Sequence, residues 1–230
     1  MTREMEGYSQ SVRRAVQYAH EKQMRGVHGV LTQLISVPRA YEVAIDMALG
    51  AAQQNIVTDN EETAKSLIDF LRQNRFGRAT FLPMSAVKSK TLNDKERRVL
   101  TMRGCVGVAS DLIDCDGQYR GIVENLLGRT GIAENLDCGI AIMRAGGHAF
   151  RLVTLEGDVM HSGGSMTGGS TQSRAVNLLS RERELKELTE SLAEGKKKLE
   201  ALRAQLGREQ GEKESLRAAC DRALSALHQQ

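Results

Sequence analysis

The carboxy-terminal quarter of the chain has the hydrophobic pattern of a coiled-coil helix. From Leu185 to Leu227, steps of alternately three and four residues land on an apolar residue at ten of thirteen positions. Charged residues fill most of the positions between them, and the run contains no proline. A narrow stripe of this length is typical of a coiled-coil seam. We therefore predict one coiled-coil arm over residues 174–230, with a single amphipathic helix on a globular domain as the alternative.

The amino-terminal segment repeats the pattern over a shorter distance. The same three-four steps pass through Met5, Tyr8, Val12, Ala15 and Ala19. A chain that enters a globular middle through one helix and leaves through another can pair the two helices only in antiparallel fashion. We therefore predict that residues 1–24 form a second arm, with the last three of these apolar residues facing Leu185 and Leu188. The unequal arms suggest a segment of a longer protein.

The middle of the chain is an internal duplication. A shift of 78 residues aligns residues 26–50 with residues 104–128 and matches Gly26 with Gly104, Tyr41 with Tyr119, and Gly50 with Gly128. Each half predicts the order strand, helix, strand, helix, strand.

The duplication fixes the predicted fold class and domain limits. We expect a mixed α/β protein with a first half at residues 25–83, a connector at 84–103 and a second half at 104–173. The predicted helices cover residues 41–49 and 119–127, and the strands after them cover 55–58 and 131–134. Asn60 and Asn135 each precede a further helix as its N-cap.

Composition and charge narrow the function classes. The 230 residues carry a net charge of only +3, and 3% of them are aromatic, which argues against a strongly cationic nucleic-acid binder. The four cysteines lack ligand spacing, so we expect reduced packing residues, no metal and no cofactor. No membrane-length apolar run or signal peptide is present in the sequence, and we expect a cytoplasmic location.

A glycine-rich segment at residues 162–170, with the sequence SGGSMTGGS, is the densest motif. A Walker loop needs a lysine where Gly169 stands, and a nucleophile elbow needs a glycine where Thr167 stands. Paired glycines instead suit a place where another backbone approaches too closely for a Cβ atom. A flexible linker between domain and coil is the alternative.

Basic residues collect where the predicted arms meet the middle. An antiparallel coil would place six arginines in one collar: Arg13, Arg14, Arg25, Arg174, Arg181 and Arg183. Such a collar could meet phosphates. A solvated collar without a ligand is the alternative.

These features together resemble the hinge of a structural maintenance of chromosomes (SMC) protein, most closely the bacterial chromosome-partition type. The motifs that carry the resemblance are GRATFLP at residues 77–83 and LVTLEGDVMHSGGSMTGGS at residues 152–170, between two coiled-coil stubs. The resemblance covers the chain from about Glu6 onward.

The resemblance implies a homodimer that joins two long molecules at the ends of antiparallel coils. The ATPase heads of that family are absent here, so the fragment is expected not to be an enzyme, and accessory subunits are expected only on the absent regions. The family's hinge glycines match Gly163, Gly164, Gly168 and Gly169, where strands of one protomer meet the opposite half of the partner. We place the receiving edge at Ala79, Thr80, Phe81 and Leu82.

The resemblance also implies weak contact with DNA and an association with the nucleoid. Some relatives carry a lysine cluster just after these glycines, but here Arg174 is the one basic residue in residues 171–174. The alternative function is a small-molecule-binding or catalytic α/β domain that uses the glycine segment as its ligand site.

Overall fold

A computed structural model describes residues 7–169 and 178–227. The chain forms two compact units, Met1–Arg183 and Glu184–Gln230. The first unit contains the sheets and the short helices, and most of the long final helix lies in the second.

The elements are numbered in chain order. The helices are α1 (Gln10–Glu21), α2 (Leu31–Leu34), α3 (Glu42–Leu49), α4 (Glu61–Gln73), α5 (Asp94–Val99), α6 (Arg120–Leu127), α7 (Leu136–Ala145) and α8 (Leu178–Leu227). The strands are β1 (Val27–Val30), β2 (Ile35–Ser36), β3 (Ile56–Thr58), β4 (Phe81–Pro83), β5 (Cys105–Val108), β6 (Asp114–Cys115), β7 (Thr130–Ala133), β8 (Arg151–Thr154), β9 (Val159–Met160) and β10 (Met166–Thr167).

The two halves repeat one topology, which confirms the predicted mixed α/β fold. In the first half β3 pairs antiparallel with β1 and parallel with β4, and in the second half β7 pairs in the same way with β5 and β8. The side chain of Asn60 caps α4 and that of Asn135 caps α7, each by accepting a backbone amide three residues on. The second half adds β9 and β10 to its sheet.

A local two-fold relation joins the halves. The short strands β2 and β6 pair antiparallel and place Ser36 opposite Asp114, two positions that the 78-residue shift makes equivalent. Around this pair, α3 and α6 bury their apolar faces in one cluster that includes Ile45, Ala48 and Ile122. The halves therefore share a core, and each also has a smaller outer cluster of its own.

The structure differs from the prediction for α1. Val12, Ala15 and Ala19 are buried, but α1 packs on α4 and β1 of the first half, and Val12 and Ala15 share a cluster with Ile56 and Leu71. The ring of Tyr18 on α1 stacks on Phe70 of α4. The apolar face that we assigned to a seam with Leu185 and Leu188 is thus covered by the first half, because apolar side chains of β3 and α4 pack against it.

The start of α1 and the start of α8 lie side by side within the first unit. Tyr8 and Leu178 are buried in the same cluster. The Tyr8 hydroxyl donates to Glu182 at 2.8 Å and lies 2.7 Å from the Thr32 hydroxyl. Burial raises the pKa of Tyr8, so this hydroxyl remains a donor. Arg183 forms an ion pair with the buried carboxylate of Glu42.

The second unit is the continuous helical part that the heptad pattern predicts. Helix α8 has 50 residues and a length of about 75 Å. Seven of its seam leucines are between 37% and 70% exposed, from Leu185 to Leu216. Within the described ranges no helix is long and apolar enough to cross a bilayer.

The side chain of Arg151 on β8 fastens the second half to the first. Its two terminal nitrogens donate to the carbonyl oxygens of Ala48 at 2.7 Å and Met47 at 2.9 Å, at the carboxyl end of α3. These carbonyls are among the last four of the helix, which have no partner inside it. A guanidinium placed there also interacts favourably with the helix dipole.

We predict that Arg151→Met lowers the free energy of unfolding by about 2 to 3 kcal/mol, because it removes two charge-assisted hydrogen bonds and leaves two partly buried carbonyls without a donor. Urea denaturation at a fixed protein concentration measures this loss. Arg144→Met, on the exposed face of α7, is the matched control and should change stability by less than about 0.5 kcal/mol. Equal effects of the two variants would contradict the proposed role of Arg151.

Candidate dimerisation site

The first half presents an open sheet edge at β4. The Thr80 carbonyl accepts the Ile56 amide at 2.9 Å, and the Met84 amide donates to the Thr58 carbonyl at 2.8 Å. Because alternate residues of a parallel strand bond to the same neighbour, the backbone groups of Ala79 and Phe81 face away from β3. No strand in the described residues pairs with this side of β4. Along the edge Leu82 is buried, Ala79 and Phe81 are half-buried, and Thr80 is exposed.

The second half presents an open sheet edge at β10, inside the glycine segment. The His161 amide donates to the Ser165 carbonyl at 2.8 Å, so the next pair, Met160 and Met166, is the non-hydrogen-bonded type. The amide and carbonyl of Met166 therefore point away from β9. The Met166 side chain is 51% exposed.

The structure of a single chain already explains why glycine stands at these four positions. Gly163, Gly164 and Gly169 have φ values of 89°, 97° and 132°, which L-residues with side chains rarely adopt. Gly168 has no such φ, but a Cβ atom there would collide with the Asp158 carboxylate. The glycines therefore shape the turns on either side of β10.

The glycine segment is anchored on the loop after α7. The Gly163 amide donates to the His148 carbonyl at 3.0 Å. Beneath this contact lies an open cavity of about 300 Å³, lined by seven residues: Ile140, Met143, Arg144, His148, Met160, Gly164 and Met166. The lining is mostly apolar, which suits packing better than the binding of a polar ligand. In the described ranges, no cluster of three metal-ligating side chains is present.

The structure does not bring the predicted arginine collar together. Arg13 and Arg14 are exposed residues near the start of α1, and the Arg14 guanidinium lies over the Phe76 ring, 5.2 Å from its centre. Arg25 follows the far end of α1, a helix about 18 Å long, whereas Arg183 lies at the Tyr8 end.

Charge pairing also divides the collar. Arg183 is bound to Glu42, and Arg181 lowers the pKa of Tyr8 slightly against the larger effect of burial. Arg174 lies outside the described residues. The collar therefore has two exposed members on α1, Arg13 and Arg14, and its other described members are engaged or distant.

Sequence comparison identifies the family. The family model described as SMC proteins Flexible Hinge Domain matches residues 24–143. The chromosome partition protein Smc of Bacillus subtilis is 40% identical over 199 residues, which cover 86% of this chain and 17% of that protein. Its counterpart in Desulfitobacterium hafniense is 42% identical over 193 residues, or 83% of this chain and 16% of that protein. The chain thus spans about one sixth of the length of these relatives.

Solved structures agree with the sequence comparison. The Geobacillus stearothermophilus SMC hinge domain, solved as an asymmetric dimer, is similar with a TM-score of 0.76 and 40% identity, over 84% of this chain and 77% of that one. The Pyrococcus furiosus hinge domain has a TM-score of 0.58 and 30% identity, over 71% of this chain and 83% of that one. These relatives do not support the alternative of a ligand-binding or catalytic domain. The repeated halves, the glycine segment and the long helix are those of a hinge, and the chain belongs to the SMC hinge family.

Proposed function

We propose that the chain is the homodimerisation hinge of a chromosome-partition SMC protein and joins two coiled-coil arms. The observation that carries the proposal is that β4 of the first half and β10 of the second are unpaired edge strands among the described residues, at the ends of their sheets opposite β1 and β5. Unpaired edges favour strand addition from another chain. The residues involved are Ala79, Thr80, Phe81 and Leu82 on one side and the segment bounded by Gly163, Gly164, Gly168 and Gly169 on the other.

Pairing between copies closes the assembly. Since both edges lie on one chain, a two-fold axis creates two equivalent contacts, each between β10 of one protomer and β4 of its partner. Each contact joins a five-stranded sheet to a three-stranded one. The outward-facing groups of Met166 and of Phe81 supply the backbone donors and acceptors. A closed pair leaves neither edge for further growth.

We predict that Met166→Pro converts the dimer into a folded monomer. Proline removes the amide that faces the open edge but leaves the β9 ladder intact, because Met166 takes no part in that ladder. Sedimentation should give a mass near 25.3 kDa instead of twice that value.

Met166→Ala is the control for this experiment, since it shortens the side chain and keeps the amide. It should remain dimeric. A dimeric Met166→Pro variant would refute the β10 contact. Replacing the four glycines by alanine is a weaker test, because the turns within one chain also need them.

We also propose a weak contact with DNA at the junction, which supports an association with the nucleoid in the cytoplasm. The exposed residues Arg13 and Arg14, together with Arg174, supply its donors. Binding through so few phosphate contacts is independent of base sequence and falls steeply with salt. Accessory subunits are expected to bind elsewhere in the longer protein.

We predict that changing Arg13, Arg14 and Arg174 to Glu reduces duplex binding at low salt by about tenfold or less, with the dimer unchanged, because each lost contact removes roughly 0.9 from the logarithmic salt slope. Fluorescence anisotropy over a salt series measures it. Arg183 is left in place, since a carboxylate there would face Glu42. If this variant binds the duplex as tightly as the unmodified chain, the junction does not contact DNA.

A further inference from the structure

The positive charge of this chain is concentrated in the connector between the halves. Residues 84–103 contain six basic residues and two acidic ones, a net charge of +4, while the whole chain carries +3. The rest of the chain is therefore slightly acidic. The basic residues are Lys88, Lys90, Lys95, Arg97, Arg98 and Arg103.

All six cations of the connector are exposed, whereas one of the two acids is not. The Glu96 side chain is 9% exposed and accepts hydrogen bonds from Arg129 at 2.7 and 3.1 Å and from the Asn93 amide at 2.8 Å. Its charge is thus balanced inside the fold. The surface of the connector presents six cations against the single exposed carboxylate of Asp94.

The connector is held against the second half through its backbone. The Asn125 amide donates to the Lys88 carbonyl at 2.6 Å, and Arg129 donates to the Thr91 carbonyl at 3.2 Å. The Lys90 carbonyl lies so close to Gly128 that a Cβ atom would collide with it. Leu92 is buried in the outer cluster of the second half. The carbonyls therefore face inward, and the lysine side chains extend into solvent from a fixed backbone.

The cations of this surface have few carboxylates near them. Among the residues that the structure describes, none of the six takes part in an ion pair within 4.0 Å. Arg97 is close enough to Glu124 to lower the pKa of that carboxyl, but the Ser89 hydrogen bond and Arg120 contribute more. Nearby carboxylates therefore neutralise little of the positive charge of the connector.

We infer that this connector surface is a binding site for the phosphate backbone of double-stranded DNA. Interfaces with nucleic acids are strongly positive and polar, whereas protein interfaces are poor in lysine and rich in aromatic residues. Residues 84–103 include no aromatic residue. Single-strand sites rely on aromatic stacking, so a duplex fits this surface better than an unpaired strand.

The inference rests on the DNA contact in the proposed function and gives it a second, larger surface. The junction has two described exposed arginines, Arg13 and Arg14, whereas the connector has six cations. Since the logarithmic salt slope grows by about 0.9 for each phosphate contact, most of the salt dependence of the hinge comes from the connector. Binding there does not depend on base sequence, because backbone contacts carry no sequence information.

The test compares two triple variants that change the net charge equally. The first variant replaces Lys88, Lys90 and Arg98 by Glu. The control variant replaces Lys196, Lys197 and Lys198, which are exposed on α8, by Glu as well. Anisotropy of a labelled duplex of arbitrary sequence is measured over a salt series. We expect the connector variant to lose at least about tenfold in affinity and roughly 2.7 in slope. The control should stay within about twofold.

Four outcomes would overturn the inference: equal losses in both variants, a loss only in the Arg13, Arg14 and Arg174 variant, tighter binding of a single strand than of the duplex, or equally tight binding of a polyglutamate peptide. If the unmodified chain binds no duplex, the DNA part of the proposed function fails as well. Sedimentation tests dimerisation independently of both DNA proposals, because the connector variant is expected to remain dimeric whether or not it binds DNA.

Discussion

The two halves of the chain bury one shared core, and the relative placement of their sheets depends on it. Helix α3 of the first half and α6 of the second pack together beside the β2–β6 pair, so each half covers apolar surface of the other. The two helix ends at this contact are covered differently. Arg151 caps α3, whereas the connector lies over the end of α6.

This arrangement determines which sheet edges remain open. Since the halves meet through their helices and the short strands β2 and β6, the edges at β4 and β10 stay unpaired within the described chain. The halves differ here, because the second half continues into β9 and β10 and the first half continues into the connector. The first half therefore ends its sheet at β4, and the second half ends its sheet at β10. The duplication thus produces two unlike partners from one repeated unit.

Much of the fold could be predicted from the sequence, because repeated glycines, N-caps and apolar runs are local signals. The helices α3 and α6 and the strands β3 and β7 fall within one residue of the predicted limits, and both predicted N-caps are confirmed, but the pairing strands β2 and β6 were not predicted. The packing of α1 could not be predicted in this way, since the three-four steps of Val12, Ala15 and Ala19 suit a coil seam and a sheet equally. Only the tertiary surface available decides between them.

The candidate sites were predictable to a smaller extent. The glycine segment was visible as a motif, but the direction of the Met166 amide depends on strand pairing. The arginine collar required a geometry that α1 does not adopt. The positive charge of the connector is visible in the sequence only when residues 84–103 are counted separately. Over the whole middle of the chain, acidic residues elsewhere cancel this excess of basic residues. Whether those cations face solvent is a matter of structure.

Hydrogen exchange at the amide of Phe81 tests the central claim of edge pairing most directly. Within one chain this amide points away from β3 and has no strand to pair with among the described residues. In the proposed dimer it bonds to β10 of the partner. The account predicts that the Phe81 amide is as protected as that of Leu82 at high protein concentration and loses protection on dilution to the monomer. Exchange at the rate of an exposed loop amide at every concentration would contradict it.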